Sequence, residues 1–345
     1  MKRTAFQITA GTLALALSVA ACSSSKPEGT SSGGAGSAAA NAPAATGVNA
    51  PTKANKNYNI QFVQGVSGDQ FYITMQCGAE AEAKKLGVSV STQGPQKFDP
   101  TLQKPILDSV MAGKPDAVLI APTDIKAMQT PLQQAAQSTK VILVDTTTQD
   151  PSYATSAIAS DNVGGGKAAF DAMKQLNPNG GKVMMMSVDP GISTTDQRAA
   201  GFEAAVKADP KFTYLGIQYS HDDPATAANL MGSALQKDPD IVGVFATNLY
   251  SAEGTATGVR QAKKGDQVKI VSFDAGPNQV KDLRAGTIQA LVAQQPELIG
   301  QYGVDMAVAA LDGGQVTPKV QTGFTIITKD NVDGDGASAI YKSAC

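Results

Sequence analysis

Ala117-Val118-Leu119-Ile120-Ala121-Pro122-Thr123 and, further along, Val141-Ile142-Leu143-Val144-Asp145-Thr146 decide how this chain folds. Each opens with a short, unbroken apolar run rich in β-branched residues. Uninterrupted apolarity marks a strand buried on both faces, whereas a strand with one wet face alternates. Between the two runs, Ala127–Ser138 carries a helical spacing of apolar residues. Strand, helix, strand at this length is the unit of a parallel sheet covered by helices on both faces. The pattern extends in both directions. Upstream, strands are predicted at Ile60–Val63 and Val88–Val90, with helices at Tyr72–Leu86 and Leu102–Met111. Downstream a second series follows, with strands at Lys182–Val188, Tyr214–Tyr219, Ile241–Ala246, Ile270–Phe273 and Ile288–Ala293. Its helices are predicted at Gly165–Gln175, Thr195–Asp209, Ala225–Gln236, Ala252–Lys263, Gln279–Ala285 and Leu298–Leu311. Lys84 and Lys85 in a last turn, then Gly87, form a typical helix stop. Met184-Met185-Met186 reads as buried strand rather than as a ligand or metal box.

In parallel sheets, function gathers where the chain leaves the carboxyl ends of the strands. Those places hold Gln64, Asp145, Asn248, Asp274 and Gln294 with Gln295. Helix capping accounts for any one of them. It accounts less well for five strands at once, with Asn, Asp and Gln recurring and no Lys. Such a set suits a ligand rich in neutral hydroxyls, because each hydroxyl donates once and accepts twice.

The chain has 28 Lys and Arg against 30 Asp and Glu, with no basic clustering of the kind a nucleic-acid surface needs. Lys2 and Arg3, then an apolar run from Ile8 to Ala21, then small residues, read as an export signal over residues 1–21. Val19-Ala20-Ala21-Cys22 resembles the lipobox of bacterial lipoproteins, which implies lipidation of Cys22 and cleavage before it. The expected location is the extracytoplasmic face of the cell membrane, held through the lipid alone. Removing the signal takes two basic residues and leaves a net charge of about −4. Residues 22–57 are rich in Ser, Gly, Ala, Pro and Asn and read as a flexible tether of root-mean-square span roughly 30–35 Å. With Cys22 occupied, Cys77 and Cys345 remain, an even number in an oxidising compartment. A bridge from the first helix to the C-terminus and two separately buried thiols both stay open as readings.

Asp161-Asn162-Val163-Gly164-Gly165-Gly166-Lys167, Val271-Ser272-Phe273-Asp274 and Ala293-Gln294-Gln295-Pro296 through Ile299-Gly300 resemble the ribose-binding protein group, the sugar-binding proteins of bacterial ABC importers. The likeness runs from about Asn59 to Thr328. It implies an α/β protein of two doubly wound parallel-sheet lobes joined by a three-stranded hinge, the type I periplasmic binding protein architecture. The lobes would comprise 58–160 with 295–322, and 161–294 with 323–345. Crossings fall near Ser160-Asp161, Gln294-Gln295 and Gln321-Gly323.

Carried over by position, the resemblance implies that Phe71 and Tyr72 stack on a sugar ring beside Asp69, and that Asp145 accepts from ring hydroxyls. Arg198, Asn248, Asp274 and Gln294 would reach the ligand from the second lobe and hinge. An arginine in the first turn of a helix is electrostatically odd, since cations favour the other end, so Arg198 asks for a partner such as Asp145 or Asp274. Three places depart from ribose binders: Thr146 stands where they carry Arg, Ala121 where they carry Asn, and His221-Asp222-Asp223 where they carry a stacking aromatic, with Asp222 the candidate for the ligand. The pocket is thereby more acidic, which argues against phosphorylated or acidic sugars and favours another aldose, a polyol or a cyclitol.

The Gly-rich turn at Gly164–Gly166 is read as close helix packing, because no Walker-type Lys-Ser/Thr follows. An enzyme is disfavoured: His221 is the single histidine, and no Gly-x-Ser-x-Gly elbow occurs from residue 58 on. A repressor with the same two-lobed core would carry a DNA-reading helix-turn-helix where this chain has its signal and tether. The expected protein is a monomeric carrier of a neutral sugar or polyol, without cofactor or metal, whose partners are an ABC permease and its ATPase. Presentation of a sugar or furanosyl signal to a membrane sensor is the alternative.

Overall fold

The computed structural model describes residues 48–345. The expectations for the export signal, for Cys22 and for the tether up to residue 47 lie outside the described residues. In chain order the first elements are β1 (Asn59–Val63), α1 (Gln70–Leu86), β2 (Ser89–Gln93), α2 (Pro100–Ala112), β3 (Ala117–Ile120), α3 (Gln129–Ala135), β4 (Lys140–Val144) and β5 (Ser156–Ser160). The chain then passes to α4 (Asn162–Leu176), β6 (Gly181–Ser187), α5 (Ser193–Lys207), β7 (Phe212–Tyr219), α6 (Pro224–Lys237), β8 (Ile241–Ala246), α7 (Leu249–Gln261), β9 (Lys269–Phe273), α8 (Pro277–Ala285) and β10 (Ala290–Gln294). It returns through α9 (Pro296–Leu311) and β11 (Lys319–Thr322) and ends beyond β12 (Phe324–Thr328).

Two six-stranded sheets result, ordered β11-β5-β4-β3-β1-β2 and β12-β10-β9-β8-β6-β7. The same order twice makes two lobes of one topology. Three crossings join them: after β5, after β10, and between β11 and β12. Every ladder is parallel except that of β12 with β10. β12 runs against β10 because β11 ends at Thr322 beside the cleft and β12 begins at Phe324, so the chain enters the second lobe at the end where its parallel strands leave.

Local chemistry explains the element ends. Asp69 caps α1, its carboxylate accepting from the Phe71 N–H at 2.7 Å. Gly87 closes that helix at φ 78°, a left-handed position that favours glycine. All four residues of β3 are buried, as are Met184, Met185 and Met186 in β6. Gly166 lies where α4 meets α5, and a Cβ there would collide with the Arg198 carbonyl. The glycine-rich turn therefore serves helix packing, and it holds α5 at the depth that Arg198 needs.

Two expectations about boundaries are corrected. Residues 48–57 are not a free tether: Ala54 is buried, its N–H donates to the Leu86 carbonyl at 3.0 Å, and the Asn55 N–H reaches Asp312. The open carbonyls at the end of α1 and the apolar surface beside them supply the partners. The C-terminal residues do not all stay with the second lobe. Cys345 is disulfide-bonded to Cys77 of α1, with Cα atoms 5.2 Å apart, so the bridged reading of these cysteines holds in this structure.

Candidate functional site

A narrow, partly open cavity lies between the lobes at the carboxyl ends of the strands. Their rims meet beside it, with the Ile125 N–H donating to the Gly191 carbonyl at 3.0 Å and the Thr147 N–H to Ser193 Oγ at 2.9 Å. Asp69, Phe71, Tyr72 and Asp145 line it from the first lobe. Arg198, Asp222, Asn248, Asp274 and Gln294 line it from the second lobe and the hinge.

Gln64 does not line it and is corrected. Its Nε2 donates to the Tyr72 carbonyl at 3.2 Å, and its backbone carbonyl accepts from Gln103. The α1 entry folds over the end of β1 and takes the amide into the wall.

Asp145 follows β4 and Asp274 follows β9, each with left-handed φ, 63° and 75°. Each N–H is held by the neighbouring strand, Asp145 by the Ile158 carbonyl at 2.8 Å and Asp274 by the Val292 carbonyl at 3.0 Å. This backbone turn is sparsely populated outside glycine and lifts each carboxylate out of the strand into the cleft. Tyr72 Oη donates to Asp145 Oδ2 at 2.8 Å. Asp274 accepts from Gln294 Nε2 at 2.7 Å, from Tyr341 Oη at 3.0 Å and from the Leu249 N–H at 3.1 Å.

Arg198 is the sixth residue of α5 and so sits in its second turn. Its partners differ from the aspartates expected for it. Nε donates to Asn162 Oδ1 at 2.9 Å and Nη1 to the Thr247 carbonyl at 2.8 Å, while the guanidinium lies 3.9 Å above the centre of the Phe273 ring. Neutral oxygens and a ring face hold the cation, which leaves the acceptors of Asp145 and Asp274 for other donors. Among the described residues Nη2 makes no hydrogen bond.

Capping and cleft lining are combined in single residues. Asn248 caps α7 through Oδ1 at 3.2 Å from the Ser251 N–H, while its Nδ2 donates to Asp222 Oδ1 at 2.7 Å. Asp69 likewise caps α1 and faces the cavity.

Burial dominates the electrostatics. It pushes Asp145 up to about 6, against the pull of Arg198 and the Tyr72 hydroxyl. It pushes Asp222 to about 6 as well, with the Asn248 bond opposing. Asp69 is driven well above its ordinary range and Asp274 is raised, by burial first in both. Burial, then the neighbouring aspartates, also raise Tyr72 and Tyr341, which keeps both phenols protonated as donors.

Sequence reasoning missed Phe98, which adds a third ring to the lining, and the apolar and hydroxyl side chains Val66, Val188, Ile192, Thr194 and Thr195. Phe98 stands in a loop ahead of α2, where nothing in its sequence neighbourhood marks a role. Tyr341 was missed for the same reason. Thr146, one of the three departures, donates to the Pro122 carbonyl at 2.7 Å and adds no group to the lining.

A site between two α/β lobes of equal topology, lined by acceptors at strand ends, defines a solute-binding protein. Residues 60–315 match the periplasmic binding protein domain, and the chain belongs to that family. It is 31% identical over 270 residues to the ribose import binding protein of Salmonella typhimurium, covering 78% of this chain and 90% of the relative. A solved ABC transporter solute-binding protein from Agrobacterium vitis with bound α-D-tagatopyranose is 41% identical, with TM-score 0.81 and coverage of 83% of this chain and 100% of that one. Another from Agrobacterium radiobacter, in complex with D-arabinose, is 31% identical with TM-score 0.79, covering 83% and 99%.

Proposed function

We propose that this protein captures a neutral monosaccharide between its lobes and hands it, chemically unchanged, to the permease of an ABC importer. One observation carries the reading. Asp69, Asp145, Asp222 and Asp274 converge with Arg198 and three aromatic rings on one cavity. Carboxylates accept from ring hydroxyls, the arginine donates, and aromatic faces cover the apolar side of a pyranose or furanose. The excess of carboxylates repels an acidic or phosphorylated sugar. The named relatives with bound tagatose and arabinose favour a ketohexose or an aldopentose. Lobes of 58–160 with 295–322 and of 161–294 with 323–341 would close on the ligand by motion at the crossings, and the closed form would meet the permease.

Protein unfolded, dialysed and refolded to strip endogenous ligand is titrated calorimetrically with D-tagatose, D-arabinose, D-ribose, myo-inositol and amino acids. Binding of at least one sugar and of no amino acid is expected; binding of amino acids alone overturns the reading. Cys22 is proposed as the lipid anchor, so Cys22→Ser should move the protein from membranes to the soluble fraction. Retention on membranes removes that assignment.

A further inference from the structure

The family match ends at residue 315, and the last part of the chain, beyond it, bonds to residues that line the cleft. After β12 the chain makes a short 3-10 turn, Asp335–Ala339, and reaches Tyr341. This residue is buried and belongs by its bonds to the second lobe. Its N–H donates to the Ala275 carbonyl at 3.0 Å. Its hydroxyl accepts from the Gln294 N–H at 3.0 Å and donates to Asp274 Oδ1 at 3.0 Å. Both partners line the cavity. The next residue belongs to the first lobe. The Lys342 N–H donates to Thr74 Oγ1 of α1 at 2.7 Å, and Lys342 Nζ lies 2.9 Å from Glu297 of α9. Cys345 is then bonded to Cys77, also in α1. The strap is therefore a fourth link between the lobes, and its Tyr341 ring lies 5.9 Å from that of Phe71, a cavity residue of the first lobe.

We propose that Tyr341 is a positioning residue for the sugar site, orienting Asp274 and Gln294 through its hydroxyl, and that the Cys77–Cys345 bridge holds it in place. The proposal rests on the sugar-binding reading above. A carboxylate has about four acceptor sites, and Gln294, Tyr341 and Leu249 occupy three around Asp274. Rotation of the carboxylate is thereby blocked, and the remaining lone pair faces one way. Preorganisation of this kind raises affinity by removing ordering that the ligand would otherwise impose. A chain terminus frays unless tied down, and the bridge at the last residue ties this one. The charged and titratable groups around Asp274 are Arg198 from α5, Asp69 from the α1 entry, Asp145 after β4, Asp222 before α6 and Tyr341 itself.

The test uses the full folded chain with the tightest binder among D-tagatose, D-arabinose and D-ribose, titrated from pH 5 to 8. Tyr341→Phe is expected to weaken binding about tenfold at pH 7, the loss of one hydrogen bond to a charged group. It should also move the acid loss of binding to higher pH, because Asp274 loses a donor to its ionised form. The Cys77→Ser/Cys345→Ser variant, and wild-type protein reduced with a phosphine, should weaken binding by matching factors of about three to ten. Wild-type affinity in Tyr341→Phe, or in the double serine variant, overturns the proposal. A measurement without sugar keeps it separate from the functional reading. The carboxyl ¹³C titration of Asp274 should shift upward in ligand-free Tyr341→Phe, and an unmoved midpoint overturns the proposal. Failure of the wild type to bind any of these sugars, with the Asp274 shift present, tells against the sugar reading alone.

Discussion

Asp145 and Asp274 are counterparts in two lobes of one topology. Each follows the third strand of its sheet, counted from the edge formed by β11 or β12, each has left-handed φ, and each carries a tyrosine hydroxyl on its carboxylate. The pair faces one cavity, so the closed form presents two fixed acceptors from opposite sides. Asp145→Asn and Asp274→Asn should therefore both weaken binding. Sugar affinity should fall by about 1.5–3 kcal/mol for each, the range for a hydrogen bond to a charged group. Thermal stability of the ligand-free protein should rise for Asp145→Asn, which removes a buried charge set against like neighbours, and fall for Asp274→Asn, whose amide nitrogen would face a donor among Gln294, Tyr341 and Leu249. Calorimetric titration and melting read the two effects. An unchanged affinity in both variants removes the pair from the site.

Binding should depend on pH between about 4 and 6. Asp145 and Asp222 are raised from 3.8 to about 6 in the folded, ligand-free protein. In that window the folded state holds protons that the unfolded state has released, so ligand-free stability declines as pH rises through it. A sugar hydroxyl needs the ionised acceptor, so binding expels those protons and strengthens over the same rise. The sugar-induced increase in melting temperature should be larger at pH 7 than at pH 5. An equal increase at both contradicts the assignment of these two carboxylates as acceptors.

Arg198→Lys should weaken sugar binding by about 2 kcal/mol although charge is kept. The fork that reaches Asn162 and Thr247 together, and the stack on Phe273, both depend on the planar guanidinium. Titration of the lysine variant checks this, and wild-type affinity in it would show that charge alone suffices.

Away from the cleft, Asp305 of α9 is buried near Glu82 of α1, and its Oδ1 has no hydrogen-bond partner among the described residues. Burial, then Glu82, raise it from 3.8 to about 7. The folded state thus holds this proton where the unfolded chain does not, and the stability it supports declines as pH rises from about 4 to 7. Asp305→Asn should stabilise the protein by about 1 kcal/mol at pH 8, leave it little changed at pH 5, and leave sugar affinity alone. Urea unfolding at the two pH values measures it, and a loss of stability at pH 8 contradicts the account.

Among the described residues, the alternation of apolar runs with helical spacings was enough to place the nine α-helices and nine of the twelve strands within a few residues, because burial on both faces of a parallel sheet writes itself into composition. Ser156–Ser160, Lys319–Thr322 and Phe324–Thr328 were not read as strands, since their mixed residues pair at or near a sheet edge and carry little of that signal. Acidic and amide residues at strand ends were legible as a ligand set for the same topological reason: the carboxyl ends of parallel strands converge. What the strand ends could not disclose was which way each side chain turns. Gln64 and Asp145 both follow a strand, yet one amide is drawn into the wall while the other residue's left-handed backbone lifts its carboxylate into the cavity. Nor could spacing say that Phe98 and Tyr341 reach the cleft region, or which oxygens hold Arg198. Periodicity reports which face of an element is buried, a local property of a few neighbouring residues. The partners of a side chain at the meeting of two lobes come from segments as distant as Cys77 and Cys345, and only the closed tertiary structure brings those together.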